Sequence, residues 1–278
     1  MTSDFRNPPR GFGPGSQPVP EGEGLEYMPL PSDMWTYSPH LPEVENPEAV
    51  VPALDVLRHI AQACTACARD GTGARFDLSG LPPAARRLIA DTLGQGEVAM
   101  KIRSVPALAV QESVFAGVWQ LLGEGVDAVE IGAVPETARS GAFRPIRAAQ
   151  GASTPPGEGV INAPSLLAEL HDKALNYRPG SQTYVVNLSL LPHTEADLAW
   201  LDAALGEGGV TILSRGYGNC RITATATAPV WRVQFFNSMD TLILDTFEVA
   251  DIPEVALAAA EDLSDSAARI HEVLEAIR

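Results

Sequence analysis

The chain has 278 residues, of which 45% are hydrophobic and 19% charged, a balance typical of a globular protein that can bury a core. Nineteen basic against 35 acidic residues give a formal net charge of −16, which argues against nucleic acid and anionic membranes as partners. No apolar run reaches the roughly 18 residues of a membrane-spanning helix, and the first residues lack the apolar core of a signal peptide. We therefore expect a cytoplasmic protein without membrane insertion, and the odd number of cysteines, three, fits a reducing compartment.

Residues 1–45 predict an extended N-terminal arm rich in proline and glycine, because proline at this spacing excludes helix interiors and central strands. The second half of this arm carries more apolar side chains than a solvated linker needs, namely Tyr27, Met28, Leu30, Met34, Trp35, Tyr37 and Leu41. Two interpretations follow. The arm lies across the folded body in polyproline-like form, or it is a docking peptide for a partner.

The rest of the chain contains an internal repeat at an offset of 112 residues, the difference between positions 205 and 93. The pattern Leu-Gly-x-Gly-x-Val occurs at residues 93–98 and again at 205–210, and a Val-Trp pair occurs at 118–119 and at 230–231. Such self-similarity predicts two tandem copies of one unit. We place the units at residues 46–135 and 159–278, joined by a linker at 136–158.

The order of helical and strand patterns in each unit predicts an α+β fold, with a small and mainly antiparallel sheet and flanking helices. We expect the first helices to be capped by Asn46 and Asn162, and Thr194 with Asp197 to form a capping box. Gly94 and Gly206 are suited to left-handed helix C-caps. We expect Trp231, Val233 and Phe235 to share a buried strand face. A last amphipathic helix is expected from about Ser264, and the side chains available for burial are Ala268, Ile270, Val273, Leu274 and Ile277.

The stretch S-R-G-Y-G-N-C-R-I-T-A-T-A, residues 214–226, resembles a phosphate-binding glycine loop only superficially. Such a loop needs a helix after it, whereas the alternation after Arg221 predicts a strand. We expect a turn between strands 210–213 and 220–228, with positive φ at Gly216 and Gly218. The corresponding region of the first unit, 103–111, lacks these glycines, so we predict a partner-binding surface here. Its candidate residues are Arg215, Gly216, Tyr217, Gly218, Asn219, Cys220 and Arg221.

The cysteines invite redox, metal and nucleophile interpretations, and the sequence disfavours each. Cys64 and Cys67 lie near the end of a predicted helix, where the helix dipole disfavours a thiolate, and no second ligand pair completes a zinc site. Cys220 would need His171 or His193 as a base, but no known cysteine signature surrounds it. We expect buried structural cysteines, and therefore no catalytic residue, cofactor site or metal site.

Several longer runs resemble the HupH/HyaF family of NiFe-hydrogenase expression and formation proteins. These runs are L-P-H-T-E-A-D-L-A-W-L-D-A-A-L-G, S-R-G-Y-G-N-C-R-I-T-A-T, V-W-R-V-Q-F-F-N-S and I-P-E-V-A-L-A-A-A-E-D-L, together with G-P-G-S-Q-P and G-E-V-A-M-K-I in the first half. The resemblance covers nearly the whole chain. It offers no catalytic or metal-binding residues to carry over.

The resemblance implies a non-enzymatic accessory protein or chaperone for maturation of uptake hydrogenase. Its expected partners are the precursor of the iron–sulfur small subunit, before export, and other hydrogenase maturation proteins. The acidic charge suits recognition of a basic export segment. The alternative is a carrier of a cofactor or metal cluster, or a thiol enzyme, which would use Cys220 or the pair Cys64 and Cys67 in hydrogenase assembly.

Overall fold

The computed structural model describes residues 47–277 apart from residues 154 and 217, so the arm predicted at residues 1–45 lies outside the described residues. The described helices are α1 (Pro47–Asp70), α2 (Pro83–Leu93), α3 (Glu136–Gly141), α4 (Ala163–Asn176), α5 (Glu195–Leu205) and α6 (Ala260–Ala276). The strands are β1 (Ala74–Asp77), β2 (Val98–Ile102), β3 (Leu108–Glu112), β4 (Val118–Gly123), β5 (Val126–Ile131), β6 (Tyr184–Asn187), β7 (Val210–Ser214), β8 (Asn219–Ala224), β9 (Val230–Phe236) and β10 (Leu242–Val249). Short 3-10 turns lie at Gly151–Ser153, Leu188–Leu190 and Glu254–Ala256.

The described strands form one ten-stranded sheet in the order β1-β5-β4-β3-β2-β7-β8-β9-β10-β6. Every neighbouring pair is antiparallel. The prediction of an α+β fold built on antiparallel strands is therefore confirmed. The sequence predicted a small sheet for each unit, and it did not predict that the two groups of strands would join edge to edge.

The joint between the two groups is the β2–β7 pair, in which Met100 lies opposite Ile212. On either side of this pair the strands follow one another in corresponding order, β3, β4, β5 and β1 on one side and β8, β9, β10 and β6 on the other. A row of paired, buried side chains crosses the joint on one face of the sheet: Leu121, Val110, Met100, Ile212, Ile222 and Val233. The sheet and this core are therefore continuous across the joint.

The two faces of the sheet are covered differently, as the alternation of β4 and β9 shows. Val118 and Val230 point to one face, and each packs with its own set of helices, α1, α2 and α6 for Val118 and α4 and α5 for Val230. Trp119 and Trp231 point to the opposite face and share a central core with Met100 and other residues. We call the first the helical face and the second the central face.

The central face is closed by the segments that follow β5 and β10. The indole Nε1 of Trp119 donates to the Gly132 carbonyl at 2.8 Å, and Nε1 of Trp231 donates to the Ala250 carbonyl at 3.1 Å. Val233 is buried and Phe235 packs against the same core, so the predicted aromatic face of β9 is confirmed. The segment predicted as a linker, 136–158, contains α3, whose Ala138 is fully buried in this core.

One predicted helix cap is wrong and another is confirmed. Asn162 precedes α4 but makes no side-chain cap; its Nδ2 donates instead to the Pro192 carbonyl at 2.8 Å. The start of α4 is capped from α5, where Oδ1 of Asp197 accepts the backbone N–H groups of residues 161, 162 and 163 at 2.7 to 2.9 Å. The other oxygen of Asp197 completes the predicted capping box with Thr194. One buried carboxylate thus caps the N-termini of both α4 and α5.

Other helix ends differ from the sequence expectations in detail. Gly94 and Gly206 follow α2 and α5 with positive φ, 55° and 69°, but their ψ values of −155° and −169° lie outside the left-handed helical region, so the predicted left-handed C-caps are wrong. The last helix, α6, begins at Ala260 rather than near Ser264. Ala268 is exposed on it, and Ala267 is buried instead, because the buried stripe starts one turn earlier, at Leu263.

Candidate functional site

The candidate turn connects the neighbouring strands β7 and β8. Ser214 pairs with Cys220, Gly216 forms a bridge to Gly218, and the Arg215 N–H donates to the Glu97 carbonyl at 3.2 Å. The last bond extends the β2–β7 ladder and ties the turn to the first group of strands. Tyr217, one of the predicted site residues, lies outside the described residues.

The strand after the turn is shorter than predicted. β8 ends at Ala224, because the chain then leaves the ladder and the Thr225 hydroxyl donates to the Val230 carbonyl at 2.8 Å. Gly218 has a φ of 92°, as predicted. The prediction of positive φ at Gly216 is wrong. The Glu97 carboxylate packs against Gly216 where a Cβ would lie, so glycine here makes room for that neighbour.

The exposed side chains of the turn are Arg215, Asn219 and Arg221, whereas Cys220 between them points into the central core and is 3% exposed. Burial raises the pKa of the Cys220 thiol to about 11, and the Glu248 carboxylate adds to the rise. A thiol of this kind is a poor nucleophile at neutral pH because the thiolate is the reactive form. The exposed polar groups of the turn are therefore arginine and amide side chains.

The turn is linked to the hairpin beside it, which joins β9 and β10. The Arg221 guanidinium lies over the ring of Phe236, 5.5 Å from its centroid. Nδ2 of Asn219 donates to Oδ1 of Asp240 at 3.3 Å. Arg221 is consequently positioned by an aromatic ring rather than by a carboxylate, and its charge stays available.

Sequence reasoning missed three exposed apolar residues on this second hairpin, Met239, Leu242 and Ile243, which are 78%, 44% and 60% exposed. Leu242 lies opposite Phe236 and a β-bulge separates it from Leu244. In the sequence, T-L-I-L-D reads as an ordinary buried strand. Only the unpaired position of the bulge reveals that part of it faces solvent.

The remaining two cysteines lie on one element of the described structure, and His193 lies beside another. Cys64 and Cys67 are buried on α1, and burial, with a smaller effect of Cys67, raises the pKa of Cys64 to about 12. His193 lies with Nδ1 2.9 Å from the Leu191 carbonyl at the entry to α5. Within the described part of the chain, no group of three or more His, Cys, Asp or Glu side chains could hold a metal ion.

A cavity of about 920 Å³, which no sequence pattern predicted, lies between the end of α1, the outer strand β1 and α3. Among its polar lining residues, the buried Glu130 accepts from Arg75 Nη1 and from the Thr137 hydroxyl, both at 2.6 Å. These bonds satisfy the carboxylate within the protein, so the cluster stabilises this corner of the sheet. Among the described helices, none is both long and apolar enough to cross a membrane.

Comparison with known proteins finds similarity to one family over nearly the whole chain. The family model for the HupH hydrogenase expression protein, C-terminal conserved region, matches residues 50–142 and 160–277. The chain belongs to this family. The resemblance inferred from the sequence is thereby confirmed, and the candidate turn lies in the second matched segment of the HupH family model.

Several relatives match along almost their full lengths. The chain is 65% identical over 278 residues to hydrogenase expression/formation protein HupH of Rhodobacter capsulatus, with 100% of both chains covered. It is 46% identical over 272 residues to hydrogenase expression/formation protein HoxQ of Cupriavidus necator, with 95% of both covered. A solved structure of hydrogenase expression protein HupH from Thiobacillus denitrificans covers 41% of this chain and 94% of its own, at 30% identity and a TM-score of 0.37.

Proposed function

We propose that this protein is a non-enzymatic, cytoplasmic accessory protein of hydrogenase maturation that binds the precursor of the iron–sulfur small subunit before export. Its relatives carry names of hydrogenase expression and formation, which supports the process. The observation that carries the binding role is the turn at 215–221, whose exposed Arg215, Asn219 and Arg221 stand on a hairpin anchored to the strand segment beside it. Polar groups held on a rigid sheet are suited to recognition.

The state of the thiols supports a binding role over an enzymatic or carrier role. A cluster carrier or thiol enzyme needs an accessible sulfur with a lowered pKa, or several ligands within reach of one metal ion. Cys64, Cys67 and Cys220 are all buried, and burial raises the pKa of each. In burial and in pKa, these three cysteines behave as ordinary core side chains.

We also propose that the chain arose by duplication, with units at 46–135 and 159–278 joined through 136–158. The corresponding strand orders on the two sides of the β2–β7 joint support this, as does the constant offset of 112 between paired features. Trp119 and Trp231 are the clearest pair, since each is fully buried and donates to the residue just after the neighbouring strand. In this view the turn at 215–221 was elaborated in one copy only.

A binding experiment with purified small-subunit precursor tests the function. We expect the full-length protein to bind, and replacement of residues 215–219 by a plain Asn-Gly hairpin to weaken binding at least about tenfold, the equivalent of 1.4 kcal/mol. The matched control is the same replacement in the β2–β3 connection at residues 104–107, which keeps the Arg103–Glu207 ion pair and should leave affinity unchanged. Binding that survives the first replacement would remove the turn from the proposal. Failure of the wild-type protein to bind would overturn the proposed target, and metal analysis of protein purified without oxygen would then test the carrier role.

A further inference from the structure

The turn at 215–221 and the neighbouring β9–β10 hairpin form one exposed surface, which we call the hairpin-tip surface. Its described members are Arg215, Asn219, Arg221, Phe236, Met239, Leu242 and Ile243. We propose that this surface binds an extended apolar segment of a partner protein that carries acidic side chains. The inference rests on the proposed function, since it specifies which kind of side chains the partner of the turn should carry.

The members of the surface are contiguous across three strands. Asn219 lies opposite Phe236 on the neighbouring strand, and Phe236 lies opposite Leu242 on the next. The Arg221 guanidinium covers the Phe236 ring, and the bond from Asn219 to Asp240 joins the two hairpin ends. A ligand that contacts the apolar residues of β10 therefore also lies beside the arginine side of the surface.

The apolar part is more exposed than a solvated hairpin requires. Met239, Leu242 and Ile243 follow one another closely in the chain and expose between 44% and 78% of their surface. Contiguous exposed apolar surface often marks a site of protein binding. The connection at the corresponding place in the first group of strands, β4 to β5, is Glu124-Gly125 and carries no apolar side chain. Both elaborated hairpins thus lie side by side in the second half.

The charged residues of the surface indicate which charge a partner should carry. Arg103 and Arg215 are 112 residues apart, and the amide of each donates across the central joint, to the Gly209 carbonyl and the Glu97 carbonyl respectively. The side chain of Arg103 forms an ion pair with Glu207. The described residues give neither Arg215 nor Arg221 a carboxylate partner within ion-pair distance.

The missing partner of Arg215 has a sequence cause. The residue that corresponds to Glu207 in the first unit is Gln95, at the same offset of 112, and glutamine cannot form the ion pair. Two carboxylates lie at this surface, Glu97 beside Gly216 and Asp240 bonded to Asn219, but neither forms an ion pair with Arg215 or Arg221. In a chain with 35 acidic and 19 basic residues, two exposed arginines without ion pairs favour acidic groups on whatever binds there.

The backbone at this corner favours an extended ligand. β10 begins at Leu242, but its pairing with β6 begins only at Thr246, so the first residues of β10 have no strand partner on their outer side within the described chain. The bulge leaves Ile243 out of the ladder with β9. The edge is closed from Asp245 onward, where the Asp245 N–H donates to the Ser189 hydroxyl at 2.9 Å, so the open part is Leu242–Leu244. A short open strand edge with apolar side chains is the geometry that accepts an added strand from another protein.

Two probes test the inference, the small-subunit precursor and a labelled peptide of about eight residues in which valine or leucine alternates with glutamate. We expect the glutamate peptide to bind at least about tenfold more tightly than the same peptide with lysine. The double substitution Leu242→Ser with Ile243→Ser should weaken both the peptide and the precursor about tenfold or more. The substitutions Arg215→Gln and Arg221→Gln should reduce the preference for glutamate and the salt dependence of binding.

The matched control is Leu175→Ser on α4, where the side chain is 81% exposed and far along the chain from the surface. This variant should bind both probes as the wild type does. Equal affinity for the glutamate and lysine peptides, or precursor binding that is unchanged in the Leu242 and Ile243 variant, overturns the inference while leaving the proposed function in place. Peptide binding at the surface without precursor binding supports the inference and overturns the proposed target.

Discussion

Met100 and Ile212 lie opposite each other at the centre of the sheet, 112 positions apart in the sequence, with exposures of 4% and 0%. Two positions along the ladder in each direction, the next pairs on the same face are Val98 with Ser214 and Ile102 with Val210. These side chains belong to a core that includes strands from both halves. The stability of each half is therefore coupled to the other through this joint.

We expect Ile212→Ala to lower the free energy of unfolding by about 2–5 kcal/mol, the usual cost of truncating a buried isoleucine. Because the core is continuous, both halves should lose stability together. Urea unfolding followed by far-UV circular dichroism and by tryptophan fluorescence measures this. The matched control is Leu213→Ala, the next residue, which points to the other face and is 46% exposed, and should cost less than about 1 kcal/mol. Two separate transitions in the Ile212 variant would contradict the coupling.

Asp197→Asn should lower the free energy of unfolding at neutral pH by about 1.5–3 kcal/mol, the range for hydrogen bonds to a charged group. Burial alone would raise the pKa of the Asp197 carboxyl, but the backbone N–H groups at 161–163 and at Thr194 hold it well below its usual range. A group whose folded-state pKa is lowered contributes stability above its unfolded pKa and loses it as the pH falls.

The difference between wild type and Asp197→Asn should therefore shrink as the pH falls below about 4, the unfolded pKa of aspartate. Chemical denaturation across this pH range is the measurement. Asp202→Asn is the control on the same helix, because Asp202 is 59% exposed and pairs only at the surface, with Arg147. A difference that stays constant with pH would show that the charge of Asp197 is not what caps the helices.

Glu112→Gln should increase stability relative to wild type as the pH rises. Burial raises the pKa of Glu112 from its ordinary value of 4.5 to about 7, against a backbone N–H bond from Gly117 and with added repulsion from Glu97 and Asp262. Since the folded-state pKa is raised, wild type loses stability between pH about 4.5 and about 7, and glutamine does not. Melting temperatures at about pH 5 and about pH 8 measure the difference. Glu124→Gln, at an exposed carboxylate that is not among the charges acting on Glu112, should show no such trend.

All three thiols should react slowly with a disulfide reagent in the native protein and quickly in denaturant. At a pKa of about 11 for Cys220 and about 12 for Cys64, the thiolate fraction at neutral pH is about 10⁻⁴ to 10⁻⁵. The measurement is the time course of reagent release, with the Cys220→Ala variant used to assign each phase. A fast native phase that is absent from this variant would favour the carrier alternative.

Local patterns predicted the elements of the fold well. Alternation identified β8 and the aromatic face of β9, because period-two burial follows directly from the pleat. The capping box of Thr194 and Asp197 was visible because its partners are three residues apart. The predictions that failed concerned contacts between residues far apart in the sequence. Nothing in the sequence shows that Asp197 caps α4 across more than thirty residues, and Asn162 resembled the cap only because of its local position.

The candidate site was predicted in part for the same reason. The glycines and arginines of 215–221 stand out locally, so the turn could be proposed. The role of Gly216 depends on Glu97, and the exposure of Ile243 depends on a bulge and on where β6 stops, which are properties of strand pairing across the sheet. Sequence periodicity carries no information about such contacts between distant segments.

Joining two groups of strands in one chain has a consequence for valency. A sheet closed by two identical polypeptides would carry each hairpin twice, and one copy could not change without the other. In this chain the Met100–Ile212 joint lies within a single polypeptide, so the arginine-bearing turn and the exposed apolar hairpin beside it occur once. Within the described residues each molecule then presents one hairpin-tip surface, so the proposed binding would place one partner segment on each molecule.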